Sequence, residues 1–185
     1  MTAPGRSHLG PAIDRFDVRA DAALERLRGR AGLDALFRVA SEAGDFSAVW
    51  HLLNLGRWLV VRRPDQLAAL AVGLGLESLV VNQGVKRLFR RDRPTTDGDS
   101  RTPVRRPRTS SFPSGHASAA AFNAMVLTGW DPRRAPLWWG VAAVVGTSRA
   151  HVRIHHASDV VAGAAVGVVF GLAALRVAAR IDITR

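Results

Sequence analysis

The chain has 185 residues, and its 26 basic side chains outnumber the 15 acidic ones to give a net charge of +11. That length favours a single domain. The chain contains no cysteine, which excludes a disulfide framework, a thiolate nucleophile and zinc–thiolate or iron–sulfur sites. Because 48% of the residues are hydrophobic, a disordered basic tail is also excluded, and the excess charge belongs to a folded molecule.

Residues 11–31 predict a basic amphipathic helix. Ile13, Phe16 and Leu24 recur at helical spacing, and arginines and acidic residues occupy the other faces. Such a helix lies either on an anionic membrane surface or against its own domain, and the pattern does not distinguish the two. We treat residues 1–45 as an N-terminal amphipathic, interfacial segment.

Five long apolar runs separated by arginine clusters make up most of the remaining chain. A bilayer-spanning helix needs about 20 residues, so the fifth run is long enough, the second is nearly so, and the others need flanking residues. The fifth run also carries Gly163, Gly167 and Gly171 at a spacing that brings membrane helices close together. We therefore predict an all-α, membrane-embedded bundle of about five transmembrane helices over residues 46–180, and a soluble Ala-rich bundle is the alternative. The runs cover residues 46–61, 66–85, 115–130, 136–147 and 157–179.

Residues 87–112 are rich in arginine and proline and predict an extended loop. Up-and-down connections would bring this loop, the link between the fourth and fifth runs, and residues 1–45 to one face. Glu77 and Asn82, polar residues inside the second run, are expected to face inward, where they pack or contact Arg57 or substrate. The surplus arginines of the loop are expected to face anionic headgroups or solvent. They include Arg101, Arg105, Arg106 and Arg108.

Three short clusters at the edges of the runs hold nearly all of the reactive groups. Lys86, the only lysine, joins Arg93 and Arg149 as three cations, and the forked donors of arginine match phosphate oxygens. Ser114 and Gly115 open the third run, where the start of a helix offers a hydroxyl, backbone N–H groups and a positive end. Together these residues specify a site for an anion.

Two histidines and a carboxylate complete the set. His155 and Asp159 are four residues apart, so on a helix they share a face, and the carboxylate can hold Nδ1–H while Nε2 is left to attack. His116 belongs to another helix and remains to protonate a leaving group. His151 and His156 have no such role and are expected to be structural or interfacial.

The pattern Lys-x6-Arg-Pro, Pro-Ser-Gly-His and Ser-Arg-x5-His-x3-Asp resembles the three-part signature of the type 2 phosphatidic acid phosphatase superfamily. The resemblance covers residues 86–159 and leaves residues 1–45 outside. It implies a metal-independent phosphatase that needs no cofactor and works through a phosphohistidine. By this resemblance His155 is the nucleophile, Asp159 orients it, and His116 is the general acid and base. The implied phosphate-binding residues are Lys86, Arg93, Ser114, Gly115 and Arg149.

Membrane embedding favours a lipid-linked phosphate or diphosphate as the substrate. Polyprenyl phosphates or diphosphates and lipid-linked sugar phosphates are favoured, and phosphatidic acid and phosphatidylglycerol phosphate are further candidates. The Arg-rich, lysine-poor and Ala-rich composition indicates a bacterial source, and the apolar runs indicate a multi-pass protein of the plasma membrane. We expect no nucleic-acid partner, and the basic residues favour a cytoplasmic catalytic face. The alternative is a non-enzymatic Arg-rich protein that binds anionic membrane or nucleic acid.

Overall fold

The computed structural model describes residues 9–95, 99–105 and 109–183, so that the predicted surface residues Arg106 and Arg108 lie outside the described residues. Within these ranges the chain forms helices joined by loops and contains no strand, which confirms the all-α prediction. The helices are α1 (Pro11–Glu25), α2 (Ala31–Ala43), α3 (Ala48–Val61), α4 (Pro64–Leu79), α5 (Lys86–Leu88), α6 (Gly115–Trp130), α7 (Ala135–His151) and α8 (Ala157–Arg180).

The second to fifth apolar runs each lie in one continuous helix, and the first forms α3 after a left-handed turn at Phe46 and Ser47. A π-helical turn at Val80–Val85 joins α4 to α5, so that Pro64–Leu88 is one continuous rod. This rod and α8 are the two helices in the described part of the chain that are long and apolar enough to cross a membrane. Helices α3, α6 and α7 are shorter than these two. The number of helices that span a membrane therefore stays a prediction.

Helix α6 lies at the centre of the bundle. Its Phe122, Ala124 and Leu127 are almost fully buried, and it packs against α4, α7 and α8. The approach of α8 is close because a Cβ atom on Gly163 or Gly167 would collide with backbone carbonyl groups at Ser114 and Ser118. The glycine spacing of the fifth run therefore sets how near α8 lies to α6.

The N-terminal segment packs, through α1 and α2, against the end of the bundle that carries the three reactive clusters. The predicted helix over residues 11–31 is wrong at its C-terminal end, because α1 stops at Glu25 and Gly29, with φ of +82°, turns the chain into α2. The acidic side of α1 faces the protein: Asp17 is 4% exposed, whereas Phe16 is 46% exposed. The sequence left open whether this helix lies on a membrane surface or on its own domain. In the structure α1 packs on its own domain, and it does so through polar contacts.

The up-and-down course of the helices brings the three reactive clusters to one end of the bundle. The backbone N–H of Ser114 donates to the carbonyl of Asp159 at 2.9 Å, and Nη1 of Arg93 donates to the carbonyl of Ile154 at 2.6 Å. The opposite end is marked by Arg57, whose guanidinium lies 5.5 Å from the ring centre of Trp130. The connections thus match the arrangement expected from the order of the apolar runs.

Candidate active site

A cavity of about 460 Å³ lies at the end of the bundle where α5, α6 and α7 meet. Residues from all three sequence clusters line its wall. The predicted site residues in direct contact with the cavity are Lys86, Gly115, His116, Arg149 and His155. Of the three others, Arg93 and Asp159 contact His155 on the cavity wall, and Ser114 contacts Asp159 behind it.

The π-helical turn before Lys86 brings the end of the α4–α5 rod against the start of α6. Such turns occur mostly as single-turn interruptions of α-helices, often at functional sites. Asn82 lies in this turn and packs on Gly115, where a Cβ atom would come within 2.7 Å of Asn82 Oδ1. A side chain at position 115 would therefore displace the Asn82 amide from the start of α6.

Arg149 is the most deeply buried cation of the site, with 1% of its surface exposed. Its Nη1 donates to the carbonyl of Ser41 at 3.0 Å and to the hydroxyl of the same serine, and it lies 3.8 Å from Asp45 Oδ1. Its Nε and Nη2 are buried and have no hydrogen-bond partner among the described residues. Because Arg149 lines the cavity, these two donors are available to an anion that enters it.

Arg93 fixes the chemical form of His155. Its Nη1 lies 3.3 Å from His155 Nε2, and because a guanidinium can only donate, Nε2 accepts and carries the lone pair. Burial lowers the pKa of His155 to about 3, so the ring is neutral near pH 7. The imidazole is thus held in the form in which Nε2 is a nucleophile.

Asp159 faces His155 across the start of α8. Its Oδ2 lies 3.5 Å from His155 Nδ1 and accepts the backbone N–H of His156 at 2.9 Å. The expectation that His155 and Asp159 share a helix face is corrected, because His156 caps α8 and His155 precedes the helix. The two side chains meet because the preceding turn folds back, with the N–H of His155 donating to the carbonyl of Arg149 at 3.1 Å.

The start of α6 presents backbone donors to the cavity at Gly115. Ser114 caps this helix, and its hydroxyl accepts the N–H of Ala117 at 3.4 Å. The N–H of Ser114 is used within the protein, since it donates to Asp159. The N–H groups of Gly115 and His116 belong to the first turn, where a helix has no internal acceptors. The positive end of α6 is therefore carried mainly by these two residues.

Asp45 is a neighbour of the site that sequence reasoning missed. Its Oδ1 lies 2.9 Å from Nε2 of His116. Burial alone would raise the pKa of Asp45, but the hydrogen bond from His116 and the charge of Arg149 bring it below its ordinary value of 3.8. Gly44 lets the backbone approach, because a Cβ there would lie 2.5 Å from the ring of His116. The three-part signature gave no signal for either residue.

Acidic residues of the N-terminal segment also pair with basic residues of the later loops. Arg101 contacts Glu25 at 3.0 Å and Asp99 at 2.7 Å, so it is held in ion pairs and not directed at headgroups. Hydrogen bonds from Arg101 lower the pKa of Glu25 and that of Asp99 to about 2. His151 contacts Asp34 at 2.8 Å, which agrees with a structural role for this histidine.

The family model of the PAP2 superfamily matches residues 66–182, which is more than half of the chain. The chain belongs to the PAP2 superfamily. This membership confirms the resemblance read from the three clusters, and it confirms the predicted enzyme class, a phosphatase. The matched range contains all of the predicted site residues and begins after α1, α2 and α3.

Two solved structures have a similar fold. The first transmembrane PAP2 type phosphatidylglycerolphosphate phosphatase from Bacillus subtilis is 19% identical, with a TM-score of 0.53, and the alignment covers 94% of this chain and 98% of that chain. Aquifex aeolicus LpxE is 24% identical, with a TM-score of 0.70, and the alignment covers 87% of this chain and 95% of that chain. No curated protein matches the chain in sequence. Both comparisons show a shared fold.

Proposed function

We propose that this PAP2-type phosphatase hydrolyses a phosphate or diphosphate carried by a membrane lipid, through a phosphohistidine and without a metal ion. The observation that carries the proposal is the convergence of cations and histidines at one end of an apolar bundle. Lys86, His116, Arg149 and His155 line one cavity, and Arg93 contacts His155 beside it.

The reaction begins with attack by Nε2 of His155 on phosphorus. A P–N bond forms while the P–O bond to the leaving group breaks, and His116 gives a proton to the leaving oxygen. In the second step His116 accepts a proton from water, whose oxygen attacks the phosphohistidine. The P–N bond then breaks, which releases inorganic phosphate and restores both histidines. Asp159 faces Nδ1 of His155 and holds the ring during both steps.

The cations stabilise the charge that spreads over the non-bridging oxygens in the transition state. Phosphoryl transfer depends mostly on positioning and on charge neutralisation, which fixed cations supply as a metal ion would. Arg149 brings two buried donors that have no acceptor among the described residues, and Lys86 brings an ammonium. Gly115, at the start of α6 beside the Ser114 cap, adds backbone donors to the same wall.

The shape of the cavity supports a lipid substrate. It extends from the cations along α4, where Ala71 and Leu74 line it, so a hydrocarbon chain has an apolar wall to contact. Glu77 and Asn82 line it as well, and Glu77 accepts a hydrogen bond from the hydroxyl of Ser118. These groups suit a polar link between phosphate and tail. We favour a polyprenyl phosphate or diphosphate or a lipid-linked sugar phosphate over phosphatidic acid and phosphatidylglycerol phosphate.

We also propose a multi-pass arrangement in a bacterial plasma membrane. The five helical rods lie along the predicted apolar runs, and their connecting loops alternate between the two ends of the bundle. The proposed catalytic end carries the described parts of the basic loop, residues 87–95, 99–105 and 109–112, and the N-terminal segment, which favours a cytoplasmic site.

An assay in detergent with EDTA tests the proposal. The purified protein is incubated with a panel of lipid phosphates side by side, and released phosphate is measured. We expect turnover of at least one lipid, inhibition by vanadate, and a loss of about 1,000-fold or more for His155→Ala and for His116→Ala. The matched control is Arg133→Ala, which changes an exposed residue at the opposite end and should keep full turnover.

Two results would contradict the proposal in different ways. Loss of all activity on chelation would exclude the metal-free mechanism. Unchanged turnover in His155→Ala would exclude the phosphohistidine. A folded protein that binds anionic vesicles without releasing phosphate from any lipid would favour the alternative of a non-enzymatic Arg-rich binding protein.

A further inference from the structure

A buried ion-pair chain connects the N-terminal helix α1 to the carboxylate behind His155. Nη2 of Arg91 donates to Oδ2 of Asp17 at 2.6 Å, and Nη1 of the same guanidinium donates to Oδ1 of Asp159. Asp17 is 4% exposed, Arg91 is 8% exposed and Asp159 is fully buried. One guanidinium thus bridges two buried carboxylates that are far apart in the sequence.

Ser158 connects the same ion-pair network to the start of α8. Its hydroxyl accepts Nη1 of Arg91 at 2.7 Å and donates to Asp17 Oδ2 at 2.8 Å. The backbone N–H of Ser158 donates to Asp17 Oδ1 at 2.8 Å, so Asp17 satisfies one of the open donors at the positive end of α8. A carboxylate from α1 therefore caps the helix that carries Asp159.

The geometry of these ion pairs determines which oxygen of Asp159 faces His155. Arg91 holds Oδ1 of Asp159, and the other oxygen, Oδ2, is the one that lies 3.5 Å from Nδ1 of His155. A buried carboxylate without its cation is costly and moves to find another partner. Without Arg91, Oδ1 of Asp159 would lose its cation, and of the contacts described here only the backbone N–H of His156 at Oδ2 would still hold the carboxylate. Without Asp17, the guanidinium would have one anchor fewer.

We infer that Asp17 and Arg91 are positioning residues of the phosphatase, which act through Asp159 to orient His155. The inference rests on the proposed function of His155 as nucleophile. It gives the N-terminal segment a part in the reaction, although the family match begins only at residue 66. A small cavity lined by Asp17, Asp21 and His155 also places α1 directly behind the nucleophile.

The test compares steady-state kinetics of the full chain in detergent on a lipid phosphate that the wild type turns over. We expect kcat to fall about tenfold in Asp17→Asn and about 10- to 100-fold in Arg91→Gln, with KM within about twofold. Arg91→Lys keeps the charge but cannot bridge both carboxylates, and it should recover part of the loss.

A double variant separates positioning from general damage. If Asp17 acts through Asp159, then Asp17→Asn has little further effect in an Asp159→Asn background, because the two changes disrupt one unit. Glu25→Gln is the matched control, since it removes an acid from the same helix that pairs with Arg101 and not with Arg91. It should leave kcat within about twofold of the wild type.

The possible outcomes distinguish this inference from the proposed function. A wild type without turnover of any lipid phosphate would refute the proposed function and the positioning role with it. Full kcat in Asp17→Asn, or an equal loss with and without Asp159→Asn, would refute the positioning role alone. Should Asp17→Asn not reach the folded state by size exclusion, the comparison of Arg91→Lys with Arg91→Gln decides, and equal kcat values would refute the role.

Discussion

Replacing Arg149 by lysine tests the proposal that this residue holds the phosphate of the substrate. In the structure one nitrogen of the guanidinium is anchored by Ser41, while Nε and Nη2 have no partner among the described residues. Lysine has one ammonium, so it can either take the anchor at Ser41 or reach the phosphate. The variant keeps the positive charge and loses the forked pair of donors.

The expected loss follows from the two donors. A hydrogen bond to a charged group contributes about 1.5–3 kcal/mol, so two bonds contribute about 3–6 kcal/mol. At about 1.4 kcal/mol for each tenfold change in rate, this corresponds to about 100- to 20,000-fold in kcat/KM. Because lysine retains the charge, we expect a value near the lower limit for Arg149→Lys, and a larger loss for Arg149→Ala.

The assay is phosphate release in detergent, with thermal unfolding measured on the same samples. Arg133→Lys, the same change at an exposed position of the opposite end, serves as the control and should be silent. The reasoning is refuted if Arg149→Lys unfolds at the wild-type temperature and retains kcat/KM within about fivefold, because the donors would then not bind the transition state.

Three further predictions concern packing, pH and orientation. Gly167→Ala places a methyl group against a backbone carbonyl of α6, so we expect a loss of about 1–3 kcal/mol or more, measured as a lower unfolding temperature. Hydrogen bonds from Arg101 lower the pKa of Glu25 to about 2, below the ordinary 4.5, so this contribution to stability is complete above about pH 4.5 and is lost as the pH falls towards 2. Thermal unfolding of Glu25→Gln should accordingly depend less on pH in that window. In a chain without cysteine, Ser100→Cys should resist an impermeant thiol reagent in intact cells, whereas Arg133→Cys should react.

Each of these predictions has a result that contradicts it. Gly140→Ala is the packing control, because a Cβ there meets nothing within 4 Å, and equal unfolding temperatures for it and Gly167→Ala would refute the close contact. A Glu25→Gln protein as acid-sensitive as the wild type would refute the ion-pair argument. Labelling of Ser100→Cys in intact cells would refute the cytoplasmic orientation.

The bundle was predictable because apolar runs and helix ends are local features of the sequence. The third run, 115–130, matches α6 at both ends, and the fifth run, 157–179, matches α8 to within one residue. The prediction failed at the end of the first amphipathic helix. There Gly29 separates two helices, α1 and α2, whose apolar residues follow a similar pattern. The spacing of apolar residues alone does not show where one helix ends and the next begins.

The contacts that support the site were not predictable from the sequence. Asp17 and Arg91 are 74 residues apart, and Asp45 and His116 are 71 residues apart. No spacing rule connects positions so distant, and an acidic residue in an amphipathic helix normally belongs to its solvated face. The opposite holds in α1, whose acids turn inward, because the loops beneath it carry buried guanidinium groups that need counter-charges.

The composition suggested that the excess positive charge lies on the surface, whereas in the folded protein several of these cations are buried. Arg91 is neutralised by acids within the fold, whereas Arg149 has two donors that no described residue accepts and Lys86 lies on the same cavity wall. A non-enzymatic protein that binds anionic membrane would instead need its arginines on the surface. Under the proposed function, the cation that matters most for a lipid phosphate is Arg149, because its Nε and Nη2 have no acceptor among the described residues and burying unpaired donors is costly unless an anion arrives to accept from them.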